Sequence, residues 1–124
     1  VSSAAWEAAS DTADAWVLGL TKKQVNRMLA RSSYPFTHGG QIVARSKEEL
    51  EPIFQMMVEE LSGGRQGAVK VYSAAGLRKA FGSLPAGVHE GEGRAYAVAK
   101  IGSDRLVLIL QKKFGAWRVV GTTR

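Results

Sequence analysis

The chain closes on "IGSDRLVLILQKKFGAWRVVGTTR", residues 101–124, and this stretch decides the fold. "IGSDR" and "KFGA" are short turn signals. Between them "DRLVLILQKKF" is apolar on at least part of both faces, and "AWRVVGT" follows the second turn. Just upstream, "RAYAVAKI" alternates in the period-two manner of a strand with one face on a core. These runs predict strands at about 94–101, 105–113 and 116–123, joined as an antiparallel meander.

The alternation in "RAYAVAKI" sorts its residues onto two faces. Ala95, Ala97, Ala99 and Ile101 form a small apolar set suited to a helix lying close above. Arg94, Tyr96, Val98 and Lys100 form the other set, which Lys70 and Tyr72 of the preceding strand "AVKVYSA" join if the pairing brings them to the same side. In the intervening "AAGLRKAFGSLPAGVHEGEG", Leu77 and Phe81 allow one helical turn, while Gly82, Pro85, Gly87, Gly91 and Gly93 mark a loop.

The N-terminal part is helical in texture. Trp6, Ala9, Ala13, Trp16, Val17 and Leu20 recur at three- and four-residue steps. Ser2 or Ser3 is placed to cap that helix, and Gly19 weakens its end. "TKKQVNRML" then restarts a helix, with Thr21 and Gln24 in the spacing of a capping box. "YPFT", "HGG" and "QIVAR" read as a short hairpin. Ser46 and Glu49 form a second capping box, after which Leu50, Ile53, Phe54, Met57, Val58 and Leu61 trace the clearest helical face in the chain. Pro52 falls inside it and predicts a distorted opening or a regular helix that starts nearer Pro52.

Length and composition bound the rest. A chain of 124 residues is expected to be one domain, 1–124, with a core of its own. No apolar run approaches the ~20 residues that span a bilayer. The absence of cysteine excludes disulfides, thiol nucleophiles and Cys-based zinc sites. The chain begins at Val1 without Met, as expected where an N-terminus has been removed, so a lost leader or anchor fits the sequence and the compartment stays open between cytoplasmic and exported. The formal charge of +6 suits an anionic partner, but the 17 Lys and Arg are dispersed and read first as a solvated basic surface.

This order of helices, hairpin, helix and meander resembles the nuclear-transport-factor-2-like superfamily, a cystatin-like α+β roll. The ending "DRLVLILQKKFGAWRVVG", with Gly115 in the turn and Trp117 opening the next strand, is similar to that superfamily's usual close, and "YPFTHGG" is similar to its first hairpin. The resemblance implies a cone of N-terminal helices on a curved, mostly antiparallel sheet. It implies no single activity, because members include isomerases, dehydratases, ligand binders and dimerising modules.

Enzymes of that fold place carboxylates and a tyrosine inside an apolar cone, as the ketosteroid isomerases show. Here the aspartates are Asp11, Asp14 and Asp104, and a base would have to come from Asp14, Glu90, Glu92 or His38, mostly on loops and turns. Asp14 and His38 are the catalytic candidates. "HGG" lacks the G-x-S-x-G partner of a lipase oxyanion loop, and "GGRQG" and "GEG" lack a phosphate-loop signature. His89 reads as solvent-exposed, and two histidines far apart make no metal site, so no metal and no cofactor are expected.

The ligand-site candidates are aromatic: Trp16, Tyr34, Phe36, Phe54, Tyr72 and Tyr96 converge if the cone closes as the resemblance implies. Plain core is the simpler reading for Trp16 and Phe54. Lys70, Arg94, Val98 and Lys100 are the interface candidates for a homodimer through the open sheet face, with single-stranded nucleic acid ranked below a second copy. The sequence thus predicts a non-catalytic binding or interaction module with a modest apolar cavity. A small isomerase or dehydratase is the first alternative, and an anionic-ligand or single-stranded nucleic-acid binder on the basic sheet face is the second.

Overall fold

The sheet is six-stranded, open and mixed, in the order β2-β1-β6-β5-β4-β3. The structure is a computed structural model that describes residues 3–61, 65–85, 88 and 93–123. Its elements are α1 (Ser3–Thr21), α2 (Val25–Ala30), β1 (Ser32–His38), β2 (Gln41–Ala44), α3 (Lys47–Leu61), β3 (Gln66–Tyr72), α4 (Ala74–Phe81), β4 (Arg94–Ile101), β5 (Asp104–Lys113) and β6 (Ala116–Thr123). The meander is where the sequence puts it, with Phe114 and Gly115 at φ 52° and 79° closing its last turn. Ser2, His89, Glu90 and Glu92 lie outside the described residues. No helix among those described is long and apolar enough to cross a membrane.

Helices α1 and α3 cover one face, here called the inner face. Ala95, Ala97 and Ala99 are fully buried on this face, and the absence of large side chains there lets α1 lie close to β4. Trp16, Val17 and Leu20 from α1, with Leu50, Phe54 and Val58 from α3, complete this core. Residues of opposite parity on β4 and β5 face the other way. Tyr96, Val98, Val107 and Ile109 form a second cluster with Leu77 of α4 and with Val88. Two cores on opposite faces of one sheet are what alternation on both sides of β5 encodes.

Three local expectations are corrected. Thr21 does not cap α2; it ends α1, where its hydroxyl donates back to the carbonyls of Val17 and Leu18. Helix α2 starts after Gln24, which makes no side-chain cap, with Lys23 at φ 59° carrying the turn. Gly19 does not weaken the end of α1, which runs through it; a Cβ there would meet Met28 Cγ at 3.0 Å, so glycine lets α1 and α2 approach. Ser3 is the first residue of α1, not the one before it.

The Ser46 cap holds, with the Glu49 amide donating to its Oγ at 3.2 Å; the Glu49 carboxylate answers one residue further back, at the Arg45 amide, 2.8 Å. Helix α3 is continuous from Lys47 through Pro52, not delayed to it. The hydrogen bond that Pro52 cannot make would run to Glu48, in the first turn and exposed, where water can serve that carbonyl. Helix α4 is two turns rather than one. Ser73 Oγ accepts from the Gly76 amide at 3.0 Å, and Gly82 at φ 81° ends it in the left-handed region.

Candidate functional site

The inner-face core is closely packed where three of the aromatic residues meet. Phe54 sits edge-on to Trp16 at 5.5 Å and to Phe36 at 5.2 Å, and all three are fully buried. The Trp16 indole N–H donates to Ser32 Oγ, which in turn donates to the Met28 carbonyl, so the polar handles are internally satisfied. Tyr34 packs half-buried against this cluster, and burial followed by the Glu48 carboxylate pushes its phenol up.

Tyr72 and Tyr96 do not converge with the others. They are cross-strand partners on the outer face, where Tyr72 meets Phe81 edge-on at 5.9 Å. The six aromatic candidates therefore divide into a filled core and a second cluster behind the sheet. Burial raises the Tyr96 phenol, and a hydrogen bond from Arg94 partly offsets that rise. Tyr96 is fully buried and has no ring face with which to stack a base.

An apolar cleft of about 230 Å³ opens at the edge of the core, between α3 and the β1–β2 hairpin. Its floor is Phe36 and Leu106, and its walls are Ile53, Met57, Met56 and Val43. Met56 is 63% exposed and Val43 39%, so the lip is greasy and uncovered. One edge is polar. His38 Nδ1 and Thr122 Oγ1 are 2.9 Å apart, and Glu60 lines the same cleft.

Of the sequence candidates, the cleft takes Phe36 and His38. His38 stands at its rim, exposed, with a threonine hydroxyl rather than a carboxylate on Nδ1. Asp14 lies elsewhere, exposed on α1. Among the described residues no cluster of His, Asp and Glu could hold a metal ion. Sequence reasoning missed Met56, Glu60 and Thr122. A signal existed for the first two: Ile53, Met56, Met57 and Glu60 follow i, i+3, i+4, i+7, a second stripe beside the core stripe of α3.

Partial desolvation, then Asp11 one turn away, raises the Asp14 carboxyl above its ordinary value of 3.8. The folded chain thus holds that proton more tightly than the unfolded one, so stability falls as pH rises from the unfolded value through the folded one. Asp14→Asn should raise Tm by about 1–2 °C at pH 7 and leave it unchanged at pH 3. A pair of thermal scans checks both halves.

Lys70, Arg94, Val98 and Lys100 share the outer face, but Val98 is buried in the cluster under α4, 7% exposed. These four form no continuous exposed patch.

No protein-family model and no curated protein matches the sequence. Solved structures do match its shape. An NTF2-like protein of unknown function from Pseudomonas putida is similar at TM-score 0.59 and 14% identity, over 98% of this chain and 86% of its own. A cystatin-like-fold protein of unknown function from Nostoc punctiforme gives 0.58 and 14%, over 99% and 91%. An uncharacterised cystatin-like-fold protein from Caulobacter vibrioides gives 0.60 and 13%, over 94% and 85%. Likeness at such identity carries a fold and no activity. With its helices on a six-stranded mixed sheet, the chain has the cystatin-like α+β fold of the nuclear-transport-factor-2-like proteins.

Proposed function

We propose that this chain is a non-catalytic binding module that takes a small, neutral, apolar molecule into the cleft between α3 and the β1–β2 hairpin. The observation that carries this reading is the uncovered apolar lip, Met56 and Val43, above a floor of Phe36 and Leu106. Large apolar side chains left in water around a concavity mark a binding surface. Methionine suits such a wall because its unbranched thioether chain repacks around different shapes. The His38–Thr122 pair supplies one polar anchor at the rim.

Binding is favoured over turnover because the two side chains of the cleft that could move a proton, His38 and Glu60, are both exposed at its polar edge rather than enclosed with a substrate. His38 shares its ring nitrogen with a neutral hydroxyl.

The test is fluorescence titration with N-phenyl-1-naphthylamine, a neutral apolar probe. Saturable enhancement is expected, weakened at least about fivefold by Met56→Glu, which puts a charge on the lip. Met56 is 63% exposed, so the variant should fold like its parent. No saturation with the parent chain, or equal affinity in the variant, would overturn the reading.

A further inference from the structure

The outer face of the sheet carries a second concavity, separated from the first by the sheet itself. The register places Arg94 opposite Gln111, and Lys113 follows two residues along β5 on the same face. With Ile109 and Val120 as an apolar floor, these side chains line a groove of about 260 Å³. Among the described residues that line it there is no carboxylate.

Both cations are held in place. Arg94 hydrogen-bonds the hydroxyl of Tyr96, a fully buried side chain, and Lys113 Nζ donates to the Tyr34 carbonyl at 3.3 Å. Further along the same face Lys100 lies directly opposite Arg105, a like-charge pair that a sheet tolerates at a cost. Cationic side chains therefore recur along the outer face, and the groove holds two of them with no carboxylate in its described lining.

We propose that this groove binds a small amphipathic anion, its carboxylate between Arg94 and Lys113 and its apolar body against Ile42, which is 47% exposed, above the buried floor of Ile109 and Val120. A volume just under the ~300–1,000 Å³ usual for small-molecule sites suits a short chain rather than a lipid-sized one. A second copy of the chain fits less well. An isologous contact sets the same patch on both subunits, and a groove whose lining holds two cations and no carboxylate supplies no acid of its own to pair with them.

The experiment is an amide-shift NMR titration of the full chain with three probes of one chain length: octanoate, octylammonium and 1-octanol. Octanoate should move the amides of Ile109, Gln111 and Val120 and bind about fivefold more tightly than 1-octanol, with octylammonium weakest. Added salt should erase most of that preference. Lys113→Gln should weaken octanoate about fivefold, and Gln111→Glu, which sets a carboxylate opposite Arg94, should remove the preference altogether. Gln111 and Lys113 are both partly exposed strand positions, so both variants should retain the parent spectrum elsewhere. Equal affinity for the three probes would overturn the proposal, as would octanoate shifts confined to the Phe36–Met57 cleft. A dimer in sedimentation whose interface covers Ile109 and Val120 would also overturn it and give the groove to a second copy.

Discussion

Phe54→Ala should lose about 3–5 kcal/mol of folding stability, the range for removing a fully buried aromatic ring. Phe54 joins three elements: its ring lies edge-on to Trp16 of α1 and to Phe36 of β1, at interplanar angles of 88° and 82°. None of these neighbours can close the gap. Trp16 is pinned by its hydrogen bond to Ser32, and Phe36 by the pairing of β1 with both β2 and β6. The cavity therefore stays open, and its lining loses dispersion contacts in addition to the transfer free energy of the ring. A domain of this size has about 5–15 kcal/mol in total, so the variant should be barely folded at 37 °C. Urea denaturation checks it, with Phe54→Leu as the control that keeps most of the volume and loses about 1–2 kcal/mol. A loss under about 1 kcal/mol for Phe54→Ala would mean that the ring already borders open space and that the inner-face core is hollow there.

That ring was visible in the sequence because its signal is local. Leu50, Phe54, Val58 and Leu61 repeat along one helix, and period alone assigns them to a core. The alternation of Ala95, Ala97 and Ala99 is equally local, and so are the turns that bound the meander. What the sequence hid is contact between distant segments. Thr21 carries a capping-box spacing, yet packing of α1 keeps it helical and its hydroxyl satisfied by α1 carbonyls, so tertiary context overrides the cap. Tyr72 and Tyr96 share strand parity with the cationic set, and parity gave no hint that α4 folds back to bury Tyr96. The cleft was half legible for the same reason. His38 stood out as a turn histidine, whereas Thr122, its partner 84 residues away, is brought to it only by the pairing of β1 with β6.

That pairing is parallel, joins the first hairpin to the last strand, and is tightest at a glycine. Gly121 lies in β6 where the register against β5 slips between Ile109 and Leu110, and it pairs with Thr37 of β1. A Cβ built on Gly121 would overlap Thr37 Oγ1, and would also sit 3.2 Å from the Thr37 carbonyl oxygen and 3.4 Å from Ile109 Cδ1. Thr37 is β-branched and stiff about χ1, so it cannot simply swing clear. Gly121→Ala is therefore expected to destabilise the fold by about 2–3 kcal/mol, near the top of the range for overpacking, although alanine lowers the entropy of the unfolded chain. Gly121→Val should cost more, because a branched side chain forces β1 and β6 apart. Thr37→Ala in the Gly121→Ala background should recover about 1 kcal/mol or more by removing the overlapping oxygen, leaving the backbone contact as the residual strain. A four-variant urea cycle measures that coupling. Additive losses would show that β1 and β6 do not meet at Gly121. The same slip would carry Thr122 away from His38 and dissolve the polar edge of the cleft, so this cycle tests the candidate site as much as the sheet.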